Sequence, residues 1–166
     1  MPVRNNVTRM LDQRKIAYTA VEYDAGSFHT ATEVADLVGA PHNQVFKTIV
    51  VLREERGRRP LLAIVPATAE VDLKALAREA GAKKVKPAAQ REAEALTGLQ
   101  VGGISALALL GKGFEVFLDR SAELYAEDGI YVSAGQRGLQ VKLRPADLLA
   151  LTGGRWAEVR AEGDGG

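Results

Sequence analysis

The sequence predicts a mixed α/β fold in which helices surround a largely antiparallel, barrel-like sheet. Two observations indicate this fold class. Short β-branched runs alternate with amphipathic stretches of helical period, and polar or glycine-rich turns join several of the runs as in hairpins. A third observation predicts the number of domains. The chain has 166 residues, of which 46% are hydrophobic, which is enough for one core. No linker-like stretch divides it, so we expect one domain spanning 1–166.

The predicted helices begin at capping residues, and several end at glycines. Asn5 or Asn6 can cap the first helix. Thr30 and Glu33 have capping-box spacing at the start of the second, which Gly39 ends. The five predicted helices have the approximate bounds 6–15, 31–38, 73–80, 89–97 and 145–151.

The predicted strands are short runs rich in Val, Ile, Leu and aromatic residues. A polar hairpin loop at 53–59 and a glycine-rich turn at 134–138 each connect two of them. The strands are predicted at 16–23, 45–52, 61–65, 84–87, 114–118, 130–133, 139–143 and 155–159. The last four residues, 163–166, are expected to be a frayed tail.

Composition excludes several classes of protein. The chain has no cysteine, which removes disulfides, thiolate zinc sites and a cysteine nucleophile. The only histidines, His29 and His42, lack the neighbours of a metal site or a Ser-His-Asp triad, and no Walker or Rossmann motif is present. No apolar stretch is long enough for a membrane helix, and the N-terminus lacks the pattern of a signal peptide. We therefore expect a cytoplasmic protein without a metal ion or cofactor.

Charge is distributed unevenly along a chain whose net charge is only +1. Residues 47–91 carry eleven Lys or Arg against five Asp or Glu, a net charge of +6, whereas the flanking segments are slightly acidic. A phosphate-rich partner would suit this basic segment. A solvated hairpin and helix surface would give the same pattern, so the charge alone leaves both open.

Lys47 interrupts an otherwise apolar strand. Alternation places it on one face with Val45 and Ile49, and places Phe46 and Val50 with the other face of the strand. A lysine in this position either extends to solvent at a sheet edge or points into a pocket. The spacing alone favours the exposed edge.

Two glycine-containing segments could approach a ligand closely. In 102–105, two glycines precede Ile104 and Ser105, so successive backbone N–H groups could face an anion or an oxyanion. In 133–138, Ser133 and two glycines accompany Arg137, which could bind a phosphate or carboxylate through two hydrogen bonds. Simple turns remain the alternative for both segments.

Several short motifs follow one another in an order that resembles a known family. They are Phe46-Lys47-Thr48, Val65-Pro66, Val71-Asp72-Leu73-Lys74, Gly81-Ala82-Lys83-Lys84-Val85, Thr97-Gly98, Val101-Gly102-Gly103-Ile104-Ser105 and Val132-Ser133-Ala134-Gly135-Gln136-Arg137-Gly138-Leu139. This series resembles the YbaK/EbsC family, the free-standing relatives of the editing domain inserted in bacterial prolyl-tRNA synthetases. The resemblance runs from about Val7 to Leu151.

The resemblance implies a deacylase that hydrolyses the ester between a wrongly attached amino acid and the 3′ end of tRNA. Cys-tRNA(Pro) is the implied substrate, and Ala-tRNA(Pro) or another misacylated tRNA is the alternative. The implied partners are the tRNA acceptor end and prolyl-tRNA synthetase. No membrane partner is implied, and the chain could be a monomer or a homodimer.

Site residues also follow from the resemblance. Lys47 falls on the family's functional lysine, which holds the terminal adenosine and the acyl ester. Gly102 and Gly103 fall on the loop whose backbone receives the aminoacyl group. The complete set of implied substrate-binding residues is Tyr23, Phe46, Thr48, Gly102, Gly103, Ile104, Ser105, Ser133, Gly135 and Arg137.

Two positions depart from the family pattern. Ala106 stands where the family usually has proline, which could change the shape of the loop. Gln140 stands where some relatives have aspartate. Two other functions stay open: a module that binds tRNA or a synthetase without chemistry, and a Ser–Lys hydrolase using Ser105 or Ser133 with Lys47.

Overall fold

The computed structural model describes residues 4–27, 29–55, 57 and 59–162, except the side chain of Glu162. Five α-helices are present in these ranges: α1 Asn6–Gln13, α2 Ala31–Val38, α3 Leu73–Ala80, α4 Gln90–Thr97 and α5 Pro145–Thr152. Short 3₁₀ turns span His42–Gln44, Leu107–Leu109 and Arg120–Tyr125. The predicted tail at 163–166, and Arg56 and Arg58 of the basic segment, lie outside the described residues.

Ten strands are described. They are β1 Thr19–Glu22, β2 Phe46–Arg53, β3 Leu61–Pro66, β4 Ala69–Val71, β5 Val85–Pro87, β6 Glu115–Asp119, β7 Ile130–Ser133, β8 Leu139–Leu143, β9 Arg155–Ala157 and β10 Arg160–Glu162. The sequence predicted helix α3 and strands β7 and β8 with these bounds. The predicted last strand at 155–159 is instead two short strands, β9 and β10.

The strands form three sheets. The largest has the order β5-β2-β3-β6-β9, a second has the order β1-β8-β7, and the third pairs β10 with β4. All pairs are antiparallel except β3–β6 and β6–β9. The mixed α/β class and the largely antiparallel pairing are therefore confirmed.

The barrel-like arrangement is not closed, since the described strands do not form one continuous sheet. A single bridge between Val45 and Tyr131 joins the two larger sheets. Strand β5 contributes only three paired residues to the edge of the largest sheet. The other edge ends in β9, which pairs in parallel with β6. Because both edge strands are short, the ladder cannot continue around to close.

Local sequence explains how the helices begin and end. Asn5 caps α1 in a capping box with Thr8, and Thr30 caps α2 in a capping box with Glu33. The hydrogen bonds from Thr30 lower the pKa of the Glu33 carboxyl, the backbone N–H contributing most. Gly39 ends α2 in the left-handed conformation, at φ 73°. These predicted boundaries are confirmed.

The largest sheet separates two apolar clusters. Phe46 and Val50 pack in the larger cluster, with residues of β7, β8 and α5. Val51 and Ile49 pack toward the other cluster, which contains Leu76 of α3. This division confirms the alternation predicted along β2. No helix in the described ranges has the length and apolar character needed to cross a bilayer.

Candidate active site

A pocket of about 360 Å³ lies beside β2, between the two larger sheets. Its walls are mainly apolar, with a few polar side chains at separate points, as in most small-molecule sites. Six separate parts of the chain contribute to it. The lining residues are His29, Thr30, Ala31, Val34, 45–50, Ala88, Gln90, Ala93, Val101, Gly102, Ile104, Ser133 and Gln140.

The pocket exists because one edge of β2 is left open. Strand β3 pairs with 46–51, whereas β5 on the opposite side pairs only with 51–53. Consecutive residues from both faces of β2 can therefore line the same cavity along this open edge.

Backbone groups of β2 are also directed to the open edge. The carbonyl of Val45 accepts from Ala67 N on the β3 side, at 2.7 Å, and the carbonyl of Val50 accepts from Ala88 N on the other side, at 2.9 Å. Since these directions alternate along an antiparallel strand, the N–H and C=O of Thr48 face away from β3 and toward the pocket. A ligand in the pocket can use this donor and acceptor.

Lys47 lies at the rim of the pocket with its side chain 23% exposed. Its Nζ donates to the carbonyl of Ala67 at 3.5 Å and lies 3.8 Å from Glu70 Oε1. Both contacts are long, and the Glu70 side chain is 73% exposed, so the ion pair is weak. The ammonium can leave these partners at little cost when a ligand offers oxygen atoms.

The two glycines of the 102–105 segment have different positions. Gly102 lines the pocket with φ 97°, and no described acceptor lies within hydrogen-bond distance of its N–H. The N–H of Gly103 donates to Gln100 O at 2.8 Å, so it is not available as an oxyanion donor. Of the two predicted donors, the geometry leaves Gly102 as the candidate.

Gly103 and Arg137 join the two glycine-containing segments. A Cβ on Gly103 would lie 2.9 Å from Arg137 N, so only glycine permits this approach of two backbones. The Arg137 guanidinium donates to the carbonyls of Ala25 and Ser27, at 2.8 and 2.7 Å. Arg137 thus fixes the segment before α2 instead of facing the pocket.

Ser133 and Gln140 form a polar part of the pocket wall. They are directly opposite each other on β7 and β8, so their side chains share one face. Ser133 Oγ accepts from Gly135 N at 3.2 Å. Gln140 is 5% exposed, and its Oε1 has no hydrogen-bond partner among the described residues.

His29 and Thr30 line the pocket at the start of α2. The His29 ring hydrogen-bonds to Asp24 O at 3.0 Å and contacts the Tyr23 ring edge-on, with centroids 6.3 Å apart. Tyr23, a predicted pocket residue, therefore lies behind His29 and supports it. This position of His29 was not predicted from the sequence, where the residue was weighed only as a metal ligand or a triad member.

Two other predicted residues lie away from the pocket. Ser105 is buried, and its Oγ accepts from the N–H groups of Leu107 and Ala108, so it caps a 3₁₀ turn. Gly135 lines a separate groove against Val7 and α1. No described hydrogen bond links Lys47 to a serine, so the geometry does not favour a Ser–Lys hydrolase.

The alanine that departs from the family pattern keeps a proline-like backbone. Ala106 has φ −61°, the value to which a proline ring restricts a residue. The backbone at this position is therefore compatible with the proline that the family usually has there. No group of three or more His, Asp or Glu suited to a metal ion occurs among the described residues.

The fold and this site define a class of protein: a mixed α/β protein whose apolar pocket offers one lysine, backbone donors and a short polar wall to a small acyl group. The chain belongs to the aminoacyl-tRNA editing domain family, whose profile it matches over residues 25–151. Editing of this kind hydrolyses the ester that joins a wrongly attached amino acid to tRNA. The chain is therefore an aminoacyl-tRNA deacylase with a tRNA substrate.

Individual relatives support this assignment. The chain is 37% identical over 157 residues to a protein of Enterococcus faecalis (strain ATCC 700802 / V583) that is provisionally named Cys-tRNA(Pro)/Cys-tRNA(Cys) deacylase EbsC. The match covers 94% of this chain and 93% of that protein. A crystal structure of a provisionally assigned trans-editing enzyme for prolyl-tRNA synthetase superposes with a TM-score of 0.74 at 26% identity, covering 96% and 99% of the two chains.

A further crystal structure supports the fold alone. The hypothetical protein APE2540 superposes with a TM-score of 0.81 at 23% identity. The alignment covers 95% of this chain and all of that one.

Proposed function

We propose that the chain edits in trans and that Cys-tRNA(Pro) is its main substrate. The observation that carries this proposal is the match to EbsC, which extends over nearly the whole length of both proteins. Cytoplasmic translation is the setting of this activity. Prolyl-tRNA synthetase is the proposed further partner, with the chain acting as a monomer or a homodimer.

In this proposal the pocket holds the aminoacyl ester next to Lys47. The ammonium leaves Glu70 and binds ribose or phosphate oxygens of the terminal adenosine, so Lys47 acts as a positioning charge. Gly102 N–H stabilises the oxyanion that forms at the ester carbonyl. Phe46, Thr48 and Ile104 contact the acyl group.

The other predicted binding residues act through those that touch substrate. Tyr23 orients His29, while Gly103 and Arg137 fix the relative positions of the two glycine-containing segments. Ser105 and Gly135 stabilise the turns that follow them, and Ser133 is the polar end of the β7 wall.

The substrate supplies the nucleophile for a cysteinyl ester. Its thiol sulfur forms a bond to the ester carbonyl carbon, the bond from that carbon to the ribose oxygen breaks, and the thiol proton passes to the departing ribose oxygen. The resulting thiolactone is then hydrolysed by water. Because the pocket holds thiol and carbonyl together, proximity provides much of the rate enhancement.

Basic residues at the mouth of the pocket suit the tRNA acceptor stem. Ala88 and Gln90 line the pocket, and the exposed Lys86 and Arg91 flank them in the chain. These cations can contact phosphates beyond the terminal adenosine, so binding should weaken as salt concentration rises.

Release of amino acids from matched tRNAs tests this function. Purified protein is incubated with Cys-, Ser-, Ala- and Pro-tRNA(Pro), and deacylation is followed against the spontaneous rate. We expect Cys-tRNA(Pro) to be hydrolysed fastest. Ser-tRNA(Pro) should persist, because a hydroxyl is a much weaker nucleophile than a thiol in the same position.

Each contrary result has a definite meaning. Hydrolysis of Ala-tRNA(Pro) with Cys-tRNA(Pro) untouched would replace the cysteinyl assignment with an alanyl one. Salt-dependent tRNA binding without hydrolysis of any ester would identify a binding module instead.

A further inference from the structure

Gln140 has an unusual environment for a buried amide. It lies on β8, the middle strand of the β1-β8-β7 sheet. The residue is 5% exposed and lines the pocket. Its Oε1 finds no hydrogen-bond partner in the described part of the chain. Leaving a buried polar group unpaired opposes folding, so such a group calls for a specific explanation.

The structure pairs Gln140 Oε1 with none of the described donors around it. Ser133, directly opposite on β7, accepts a hydrogen bond from Gly135 N and makes no described bond to Gln140. Phe46 and Ile104, which line the same pocket, are apolar. The polar residues that line the pocket, such as Thr48, leave this oxygen unpaired as well, so a molecule that fills the pocket can supply its donor.

We propose that Gln140 determines specificity by accepting a hydrogen bond from the α-ammonium of the aminoacyl ester. This inference rests on the proposed function. An α-ammonium entering an apolar pocket needs a partner, because an unpaired buried charge is very unfavourable. Hydrogen bonds from charged donors are also stronger than those from a thiol, which is a weak donor.

A neutral amide is suited to a pocket that already contains one cation. Lys47 and the substrate ammonium both carry positive charge, and Glu70 pairs with Lys47 only at the exposed rim. An amide oxygen can bind the ammonium without forming a competing ion pair with Lys47.

A hydrogen bond from the substrate's α-ammonium to Gln140 restricts the esters that the protein can hydrolyse. An ester whose amino group is acylated has lost the charge and two of its three donors. Peptidyl-tRNA and N-acetylated aminoacyl-tRNA should therefore be poor substrates, although they carry the same ester.

A matched pair of esters tests this role. The first is Cys-tRNA, and the second is the 3-mercaptopropionyl ester of the same tRNA, which keeps thiol and ester but lacks the amine. We expect wild-type protein to prefer Cys-tRNA in kcat/KM, after correction for spontaneous hydrolysis, by about tenfold to a hundredfold. Gln140→Met should lose this preference through a lower rate on Cys-tRNA alone.

Controls separate this role from a structural one. Gln140→Met removes an unpaired polar group, so its thermal unfolding midpoint should equal or exceed that of wild type. Gln136→Met makes the same exchange at a glutamine that bonds to Asn5 away from the pocket, and should leave the preference unchanged.

The outcomes distinguish failure of this inference from failure of the proposed function. An active Gln140→Met protein that still prefers Cys-tRNA overturns the inference alone. A wild-type protein that hydrolyses both esters equally well also overturns it, because the amine would then contribute nothing to recognition. A wild-type protein that hydrolyses neither ester overturns both.

Discussion

The two ends of β2 hold their cations in contrasting ways. Arg53 is 8% exposed in its side chain and donates to Arg59 O at 3.1 Å, to Ala80 O at 3.0 Å and to Glu115. Lys47, six residues earlier on the same strand, has only a 3.5 Å contact to a carbonyl and a 3.8 Å contact to an exposed carboxylate. One cation is saturated with partners, and the other is nearly free of them.

This difference separates a structural cation from one available to a ligand. Guanidinium, with five donors in fixed directions, suits the enclosed position at Arg53. The lysine ammonium is a point charge on a flexible side chain. It suits the rim of the pocket, because it can move from Glu70 to a bound ligand. The residue type alone does not reveal this, since both were counted equally in the basic segment 47–91.

Among substitutions at the two ends of β2, replacement of Lys47 should have the largest effect on activity. Lys47→Ala should lower kcat/KM for the preferred aminoacyl-tRNA by about a hundredfold to a thousandfold, because the substrate loses a charge-assisted contact. Steady-state deacylation kinetics measure the change. The unfolding midpoint should stay near that of wild type, and near-normal deacylation by this variant would refute the assigned role.

The second largest effect is expected at Arg53, at the opposite end of β2, and it is an effect on stability. Arg53→Met leaves Glu115 with one remaining partner, Arg155 at 3.2 Å, and should reduce the free energy of unfolding by about 3 kcal/mol. Urea denaturation measures it. The folded variant should keep its deacylase activity. A loss of activity without a loss of stability would show that Arg53 acts in the site and is not a structural cation.

The smallest effect is expected at the partner of Lys47. Glu70→Gln removes an exposed ion pair and should change the free energy of unfolding by less than about 0.5 kcal/mol. Deacylation should change by no more than about twofold, because Lys47 leaves Glu70 when substrate binds. A tenfold change in kcat/KM would show that Glu70 belongs to the site.

Local signals made most of the fold predictable. Capping residues such as Thr30 and C-terminal glycines such as Gly39 place helix ends through contacts within a few residues, and the sequence is sufficient for these. The two parallel pairs and the separate β4–β10 sheet depend on contacts between distant segments. No local pattern specifies them, so the division into three sheets could not be predicted from the sequence.

The site was predictable to a similar extent. Six of the residues proposed from the family resemblance line one pocket: Phe46, Lys47, Thr48, Gly102, Ile104 and Ser133. The role of Arg137 was not predictable, because its partners are carbonyls more than a hundred residues earlier. Gln140 was noted only as a departure from the family, and its burial could be seen only with β7 and β1 on either side.

The pocket draws its walls from residues as early as His29 and as late as Gln140 in a chain of 166. Ribosomes add residues from the N-terminus onward, so β8 emerges after every other wall has been made. A chain interrupted before β8 lacks both Gln140 and the strand that holds Val21 in its sheet. The enzyme that corrects errors of translation thus becomes competent only after its own β8 has been translated.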